Sequence, residues 1–272
     1  MSPAPQPVGG FAARLRAAIG ARGRLCVGID PHPPLLATWG LTDDAAGAMR
    51  FGLICAEAFA GEVGFVKPQV AFYEQYGATG MAALEEVIAA CRSAGAVVIA
   101  DAKRGDIGST MAGYARAWLG DGRLGADAVT LSPYLGYGSL EPAVTAARSA
   151  GRGVFVLART SNPEGASVQA GGVAQGIVDA ARADDADGRA TVGLVVGATR
   201  DHGLDLSGLG GPILAPGLGA QGATPDDLAR IFPERELLLP STSRQVLAAG
   251  PTVAALRTAA LATRDAVEAA LG

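Results

Sequence analysis

The chain has 272 residues, of which 49% are hydrophobic and 18% charged, and its formal net charge is −4. This length is typical of one large α/β domain with a sizeable core. The negative charge balance, without a basic run or basic–aromatic patch in the sequence, argues against a nucleic-acid partner. No uninterrupted apolar stretch reaches the roughly 18 residues of a membrane span, so we expect no membrane association.

The N-terminal segment and the cysteines indicate a cytoplasmic protein. Met1–Gly10 is rich in Pro and Gly and lacks the charged segment and apolar core of a signal peptide. We interpret it as a flexible tail before a single domain over residues 11–272. Cys26, Cys55 and Cys91 lie in apolar patterns without metal-ligand spacing, which is typical of reduced core cysteines.

Eight short apolar runs alternate with longer helical patterns along the chain. The candidate strands are Leu25–Ile29, Gly64–Lys67, Ala96–Ala100, Asp127–Leu131, Gly153–Ala158, Thr191–Val196, Pro212–Ala215 and Glu236–Leu239. The candidate helices are Ala45–Ala60, Ala78–Ala94, Ser109–Leu119, Ser139–Ala150, Ala174–Ala183 and a long terminal helix within Arg244–Leu271. Continuous apolar strands are typical of parallel sheets covered by helices. Strict alternation of eight strands with helices predicts a (β/α)8 TIM barrel, with a doubly wound open sheet as the alternative.

In such a barrel the chemistry lies at the carboxyl ends of the strands. Polar residues follow most of the candidate strands of this chain. They are Asp30, Lys67, Asp101 and Lys103, Arg159 and Ser161, Gln221, and finally Ser243 and Arg244. Charges of both signs therefore converge on one rim, which indicates a functional site rather than a purely structural barrel.

The stretch that follows the third candidate strand is the most informative. Asp101 and Lys103 are two residues apart, so at a strand end their side chains point to the same side. Gly105 permits a sharp turn, which brings Asp106 near the start of the next helix. Taken in isolation, Asp106 fits a helix-capping carboxylate and Lys103 a solvated rim charge.

The whole pattern Asp101-x-Lys-x-x-Asp106-Ile-x-x-Thr110 resembles the signature of the orotidine 5'-monophosphate decarboxylase family. Further segments resemble motifs of the same family, in the same order along the chain. They are Gly28-Ile-Asp30, Phe65-Val-Lys67-Pro-Gln, Arg159-Thr-Ser161-Asn-Pro, Ala215-Pro216-Gly-Leu-Gly-Ala-Gln221-Gly and Ser241-Thr-Ser243-Arg244. The short form of the family usually has Gly-Arg after the eighth strand. The Ser-Arg found here is similar to the long bacterial form, type 2.

The resemblance implies decarboxylation of orotidine 5'-monophosphate to UMP and CO2, in de novo pyrimidine biosynthesis, without a metal or an organic cofactor. Loss of CO2 leaves electron density on ring carbon C6, which the protein must then stabilise by electrostatics. We expect Lys103 to lie beside C6 as an ammonium and to donate the proton. Asp101, Asp106 and Lys67 would hold its charge. Asp101 would also repel the substrate carboxylate and so destabilise the bound ground state.

The resemblance also implies how the substrate is held. Arg244, Gln221 and the backbone of the loops that carry Pro216 and Ser243 would bind the phosphate. Ser161 would bind the pyrimidine edge, and Asp30 and Lys67 the ribose hydroxyls. Asp106, Ile107 and Thr110 would reach into the site of a neighbouring subunit, which predicts a homodimer with shared active sites. Asn162–Gly172, polar and glycine-rich, is the candidate lid.

Three alternatives remain open at this point. Gly217-x-Gly219-x-x-Gly222 matches a dinucleotide fingerprint, but it lies in the seventh unit and no clear strand-ending acid follows about 20 residues on. Magnesium-dependent sugar-phosphate decarboxylases and hexulose-phosphate synthases of the same superfamily need a metal-binding carboxylate, usually on the second strand, where this chain has Lys67. A non-catalytic nucleotide-binding barrel would bind without turnover.

Overall fold

The computed structural model describes residues 10–185, 187–199, 201–233 and 235–272. Residues 1–9 of the expected flexible tail lie outside the described residues, whereas Gly10 begins the first helix. Eight parallel strands, paired in sequence order, close into a barrel. The TIM-barrel prediction is therefore confirmed, and the open-sheet alternative is wrong.

The observed elements follow the predicted alternation. The strands are β1 (Cys26–Ile29), β2 (Phe65–Pro68), β3 (Val97–Arg104), β4 (Ala128–Leu131), β5 (Gly153–Arg159), β6 (Val192–Val196), β7 (Ile213–Pro216) and β8 (Leu238–Thr242). The α-helices are α1 (Gly10–Arg22), α2 (Pro33–Thr38), α3 (Ala45–Phe59), α4 (Ala71–Glu74), α5 (Gly77–Ser93), α6 (Gly108–Leu119), α7 (Glu141–Ala150), α8 (Ala166–Gln169), α9 (Val173–Asp184), α10 (Pro225–Ile231), α11 (Arg244–Leu247) and α12 (Val253–Leu271). Every candidate strand overlaps an observed one, and β3 runs on through the predicted reactive residues.

The core has two layers because successive strand residues face opposite sides of the barrel wall. Cys26 and Phe65 belong to the cluster inside the barrel, while their neighbours Val27 and Val66 belong to the cluster between strands and helices. Each fully buried Leu or Phe side chain contributes about 1.5–3 kcal/mol. Cys26, Cys55 and Cys91 are all buried and free, as the sequence predicts for reduced core residues.

Helix α1 is not among the predicted helices and covers the amino-terminal end of the barrel. Phe11 packs edge-on against Phe155 of β5, with ring centroids 6.3 Å apart. On the same helix, Arg14 forms an ion pair with the buried carboxylate of Asp127. Helix α1 therefore fills the amino-terminal end of the barrel and extends the core at the end opposite to the polar rim.

The predicted long terminal helix within Arg244–Leu271 is α12, which begins at Val253. Short α11 ends at Leu247, and the cis Gly250–Pro251 bond lies between it and α12. Thr252 then caps α12 by accepting a hydrogen bond from the Ala255 N–H. Within the described residues, no helix combines the length and apolarity that crossing a membrane requires.

Candidate active site

A cavity of about 300 Å³ opens at the carboxyl ends of the strands, where the barrel architecture predicts it. Most of the predicted site residues line this cavity. They are Asp30, Lys67, Asp101, Lys103, Ser161, Pro216, Gln221, Ser243 and Arg244. The folded chain thus brings together, from six different strand ends, the side chains that the sequence patterns single out.

The centre of the site is the buried carboxylate of Asp101. Its Oδ1 accepts hydrogen bonds from Lys103 Nζ at 2.6 Å and from Thr130 Oγ1 at 2.9 Å. Its Oδ2 accepts from Lys67 Nζ at 2.9 Å and from Gln69 Nε2 at 3.0 Å. A carboxylate offers about four lone-pair sites. Every one of them is therefore occupied, and the orientation of Asp101 is fixed.

The electrostatics of this cluster keep the buried pair ionised. Burial on its own would raise the pKa of the Asp101 carboxyl, but the ammonium groups of Lys67 and Lys103 outweigh it and hold that pKa well below its ordinary value. Burial would likewise lower the pKa of Lys67, but the carboxylates of Asp101 and Asp30 raise it above its ordinary value. At neutral pH the cavity floor therefore carries fixed charges of both signs.

Strand β3 departs from regular geometry where it carries Lys103. The register between β3 and β4 shifts between Ala100 and Arg104, and Lys103 has a φ of 48°. A left-handed conformation at a non-glycine residue costs about 1–2 kcal/mol. The expectation that Asp101 and Lys103 share a side is confirmed, since Lys103 Nζ reaches Asp101 Oδ1. Simple strand alternation, however, does not describe this backbone.

The ends of β1 and β8 approach each other closely beside the cavity. A Cβ atom at Gly28 would lie 1.9 Å from Ser243 Oγ and 3.1 Å from Asp30 Oδ1. Only glycine therefore fits at this position. Asp30 Oδ1 is buried without a hydrogen-bond partner in the described part of the chain. It can therefore accept a hydrogen bond from a ligand hydroxyl in the cavity.

The loops after β5 and β7 meet across the mouth of the cavity. Ser161 Oγ donates a hydrogen bond to Gln221 Oε1 at 3.0 Å. The loop with the dinucleotide-like glycine pattern forms a closed turn, in which Gly222 N–H donates to the Gly219 carbonyl at 2.7 Å. The next helix begins only at Pro225, unlike a dinucleotide site, where the helix begins within the glycine pattern. Arg244 is exposed at the first residue of α11.

Three predicted site residues do not line this cavity. Asp106 is partly exposed, and its Oδ1 accepts a hydrogen bond from the Ile107 N–H at 2.8 Å. Helix α6 begins one residue too late for Asp106 to be its N-cap. Ile107 is 61% exposed, and Thr110 is exposed as well. Among the described residues, no hydrogen bond or ion pair joins Asp106 to Lys103.

Two residues that hold Asp101 were not among the predicted site residues. Gln69 belongs to the Phe65-Val-Lys67-Pro-Gln segment, in which the family resemblance implies a role only for the lysine. Thr130 lies inside the apolar run that becomes β4, and a single hydroxyl in such a run gives no functional signal. Its two contacts depend on the register shift of β3, which no local pattern reveals.

The candidate lid Asn162–Gly172 contains a 3-10 turn at Pro163–Gly165 and the short helix α8. It is tied to the site through Gln169, whose Oε1 accepts from Thr160 N–H at 3.0 Å and whose Nε2 donates to Thr160 Oγ1 at 2.8 Å. Beneath it lies a second cavity of about 440 Å³, lined by Arg159, His202 and others. This larger cavity contains neither lysine nor Asp101, so the smaller one is the candidate active site.

The position of Lys67 argues against the metal-dependent alternative. Lys67 stands at the end of β2, and its ammonium bonds Asp101 Oδ2. A cation therefore already occupies the side of Asp101 that faces β2. Across the described ranges, no group of three or more His, Cys, Asp or Glu side chains could hold a metal ion.

Comparison with known proteins identifies a family and a relative that carry the same name. Residues 23–259 match the family described as orotidine 5'-phosphate decarboxylase / HUMPS. An orotidine 5'-phosphate decarboxylase of Corynebacterium efficiens is 54% identical over 262 residues, which cover 92% of this chain and 94% of that protein.

Solved structures agree with this likeness. A crystal structure from Streptomyces avermitilis, of a protein assigned as an orotidine 5'-phosphate decarboxylase, superposes with a TM-score of 0.93 at 50% identity, covering 98% of this chain and 97% of that chain. The UMP synthase of Leishmania donovani superposes with a TM-score of 0.79 at 31% identity, covering 96% of this chain and 56% of the longer synthase.

Proposed function

We infer, from the premise that this chain belongs to the orotidine 5'-phosphate decarboxylase / HUMPS family, that it converts orotidine 5'-monophosphate to UMP and CO2. It is a carboxy-lyase of pyrimidine biosynthesis. The observation that carries this inference is the Asp101 carboxylate, held at the cavity floor between the ammonium groups of Lys67 and Lys103. Such an arrangement stabilises a developing carbanion with fixed charges alone.

Lys103 is the proposed proton donor. In the reaction the bond between C6 and the carboxylate carbon breaks, and its electron pair stays on C6. One N–H bond of the ammonium then breaks as its proton moves to C6, and solvent returns a proton to the amine. One N–H bond goes to Asp101 Oδ1 at 2.6 Å. The ammonium has three donors, so two remain for the substrate.

Substrate binding away from C6 supplies the energy that holds the carboxylate against Asp101. In the proposed complex, the Arg244 guanidinium donates hydrogen bonds to two phosphate oxygens, and the Gln221 side-chain amide donates another. Ser161 binds the pyrimidine edge, while Asp30 accepts hydrogen bonds from ribose hydroxyls. The loops that carry Pro216 and Ser243 border the phosphate. All of these residues line the same cavity, which supports the assignment.

We also propose a cytoplasmic homodimer in which each active site is shared. The loop after β3 carries the exposed Ile107, and the neighbouring loop after β4 carries Tyr134 and Leu135, 80% and 53% exposed. The two loops are joined by the hydrogen bond from Ser132 N–H to the Arg104 carbonyl at 2.8 Å. Exposed apolar side chains grouped in this way favour burial against a second copy. Asp106 and Thr110 would then reach the partner's cavity.

Metal-free turnover tests the proposed reaction. The loss of orotidine 5'-monophosphate absorbance is followed with excess EDTA for the wild type, Lys103→Ala and Arg123→Ala. Arg123 is an exposed cation paired with Glu85 and Glu86 and lies outside the cavity, so its variant controls for loss of a positive charge. We expect rapid wild-type and Arg123→Ala turnover, and a loss of about 10³-fold or more in Lys103→Ala.

Two other results would redirect the assignment. Turnover that needs Mg²⁺ to be restored would identify a metal-dependent relative of the same superfamily. Binding of UMP without any turnover of orotidine 5'-monophosphate would identify a nucleotide-binding barrel.

A further inference from the structure

Thr130, in the middle of β4, lies directly behind the charged cluster. The residue is buried, with 1% of its surface exposed. Oγ1 donates a hydrogen bond to Asp101 Oδ1 at 2.9 Å and accepts one from the Lys103 N–H, also at 2.9 Å. One hydroxyl group thus links the carboxylate to the backbone of the residue that must deliver the proton.

The direction of both bonds is fixed by their partners. An ionised carboxylate can only accept, and a backbone N–H can only donate. A hydroxyl group has one proton and two lone pairs, so it satisfies both partners at once. Serine could do the same, whereas valine has a closely similar shape and can do neither.

The same hydroxyl replaces part of the β-sheet ladder. Regular pairing of β3 with β4 stops after Ala100 and resumes at Arg104. Lys103 lies inside this interruption, with its φ of 48°, and its N–H bonds the Thr130 side chain instead of a β4 carbonyl. Thr130 therefore satisfies a donor that the irregular backbone would otherwise leave unpaired, and it holds Lys103 in a conformation that costs free energy.

We propose that Thr130 is a positioning residue for the decarboxylation. It acts through Asp101 and Lys103 and sets where the Lys103 ammonium stands relative to C6. This inference rests on the proposed function, in which Lys103 is the proton donor. A displacement of about 1 Å in such a group can cost about 10²-fold in rate. Removal of the hydroxyl should therefore lower kcat without weakening the binding of the phosphate and the ribose.

The test compares Thr130→Val, Thr130→Ser and Thr191→Val with the wild type. Thr191, just before β6, is also a buried threonine, but it lies outside the cavity, so Thr191→Val controls for general destabilisation. The measurements are kcat, KM, the affinity for UMP and the NMR signals of selectively labelled lysine side chains. The chain contains only two lysines, Lys67 and Lys103, so each signal can be assigned with a Lys103→Ala spectrum.

We expect Thr130→Val to lower kcat by about 10- to 100-fold, with KM and UMP affinity within about threefold of the wild type. Its Lys103 signal should shift. Thr130→Ser should recover most of kcat and the wild-type signal, and Thr191→Val should keep both even if it melts earlier. If Thr130→Val does not fold, Thr130→Ala replaces it with the same expectation.

Three results would overturn the inference. In the first, kcat of Thr130→Val stays within threefold of the wild type. In the second, Thr130→Ser is as slow as Thr130→Val. In the third, Thr191→Val loses as much kcat as Thr130→Val. The wild-type rate itself tests the proposed function separately, because the inference concerns only the ratios between variants and wild type.

Discussion

Both lysines of this chain line the candidate active site. Lys67 and Lys103 are its only two lysines, and arginine supplies the other twenty of the 22 basic residues. Arginine supplies the cation of the ion pairs away from the site, for example Arg24 with Glu268. A guanidinium remains charged at any physiological pH and cannot serve as a proton donor, whereas an ammonium can. The composition therefore agrees with proton transfer by Lys103.

The proposed repulsion by Asp101 can be separated from its structural role by a choice of ligands. Orotidine 5'-monophosphate carries the carboxylate that Asp101 would repel, and UMP does not. We expect Asp101→Asn to bind the substrate about tenfold more tightly, with UMP affinity nearly unchanged and kcat strongly reduced. Slow turnover permits direct calorimetric measurement of both affinities. Weaker binding of the substrate would contradict the repulsion.

The pH dependence of stability follows from the shifted pKa values of the buried pair. The depressed pKa of Asp101 means that its contribution is complete above the unfolded-state pKa of about 3.9 and is lost as pH falls through the lower folded value. The raised pKa of Lys67 means that its contribution is complete below about pH 10.4 and is lost only above it.

We therefore expect a constant contribution of the pair to the unfolding free energy between about pH 5 and 9, and a decline below about pH 4. Urea unfolding of the wild type is compared across this range with Lys67→Met/Asp101→Asn, in which neither group titrates. A difference between the two proteins that changes from pH 6 to pH 8 would be incompatible with these shifts.

At the scale of elements, the approach of β8 to β1 shapes the site. Gly28→Ala would place a Cβ against Ser243 Oγ and so displace the loop that carries Arg244. We expect KM to rise by about tenfold or more because phosphate binding suffers, while the far-UV circular dichroism spectrum is retained. Gly176→Ala is the matched control, since a Cβ there meets nothing within 4 Å on α9.

The control should keep KM and kcat, and its melting temperature should be unchanged or higher, because alanine favours the helix by up to about 1 kcal/mol. If Gly28→Ala binds substrate as well as Gly176→Ala does, the close contact with Ser243 has no role in binding.

Elements with a strong pattern could be predicted from the sequence, and those with a weak one could not. The continuous apolar runs predict all eight strands, and the motif residues include most of the residues that line the cavity. Helix α1 has Phe11, Leu15 and Ile19 at helical spacing, but alanine and arginine fill most of its other positions, so its amphipathic pattern is weak. Helices α4 and α8 are each four residues long. Thr130 acts through a register shift, which arises only when β3 and β4 pair.

At the scale of the whole molecule, stability and chemistry lie at opposite ends of the barrel. The amino-terminal end is filled by α1, and buried Arg152 there bonds the Gly120 carbonyl and Asp121. The carboxyl end carries the cavity, where Asp30 Oδ1 has no hydrogen-bond partner among the described residues. The exposed apolar loops after β3 and β4 lie at this same end, so a partner bound there would adjoin the site.

Hybrid dimers test whether the sites are shared. If Lys103 comes from one subunit and Asp106 from the other, a dimer of one Lys103→Ala chain and one Asp106→Asn chain contains one site with both changes and one intact site. We expect the purified hybrid, isolated through two different tags, to have about half the wild-type kcat per dimer, although both parent homodimers are nearly inactive.

The control hybrid joins Lys103→Ala with Asp101→Asn. These two residues are hydrogen-bonded within one protomer, so each site of that hybrid lacks one of them and no intact site can form. Recovery in the first hybrid but not in the second requires that Asp106 act across the subunit boundary. Equal inactivity of the two hybrids would place Asp106 in its own protomer's site and contradict the shared dimer.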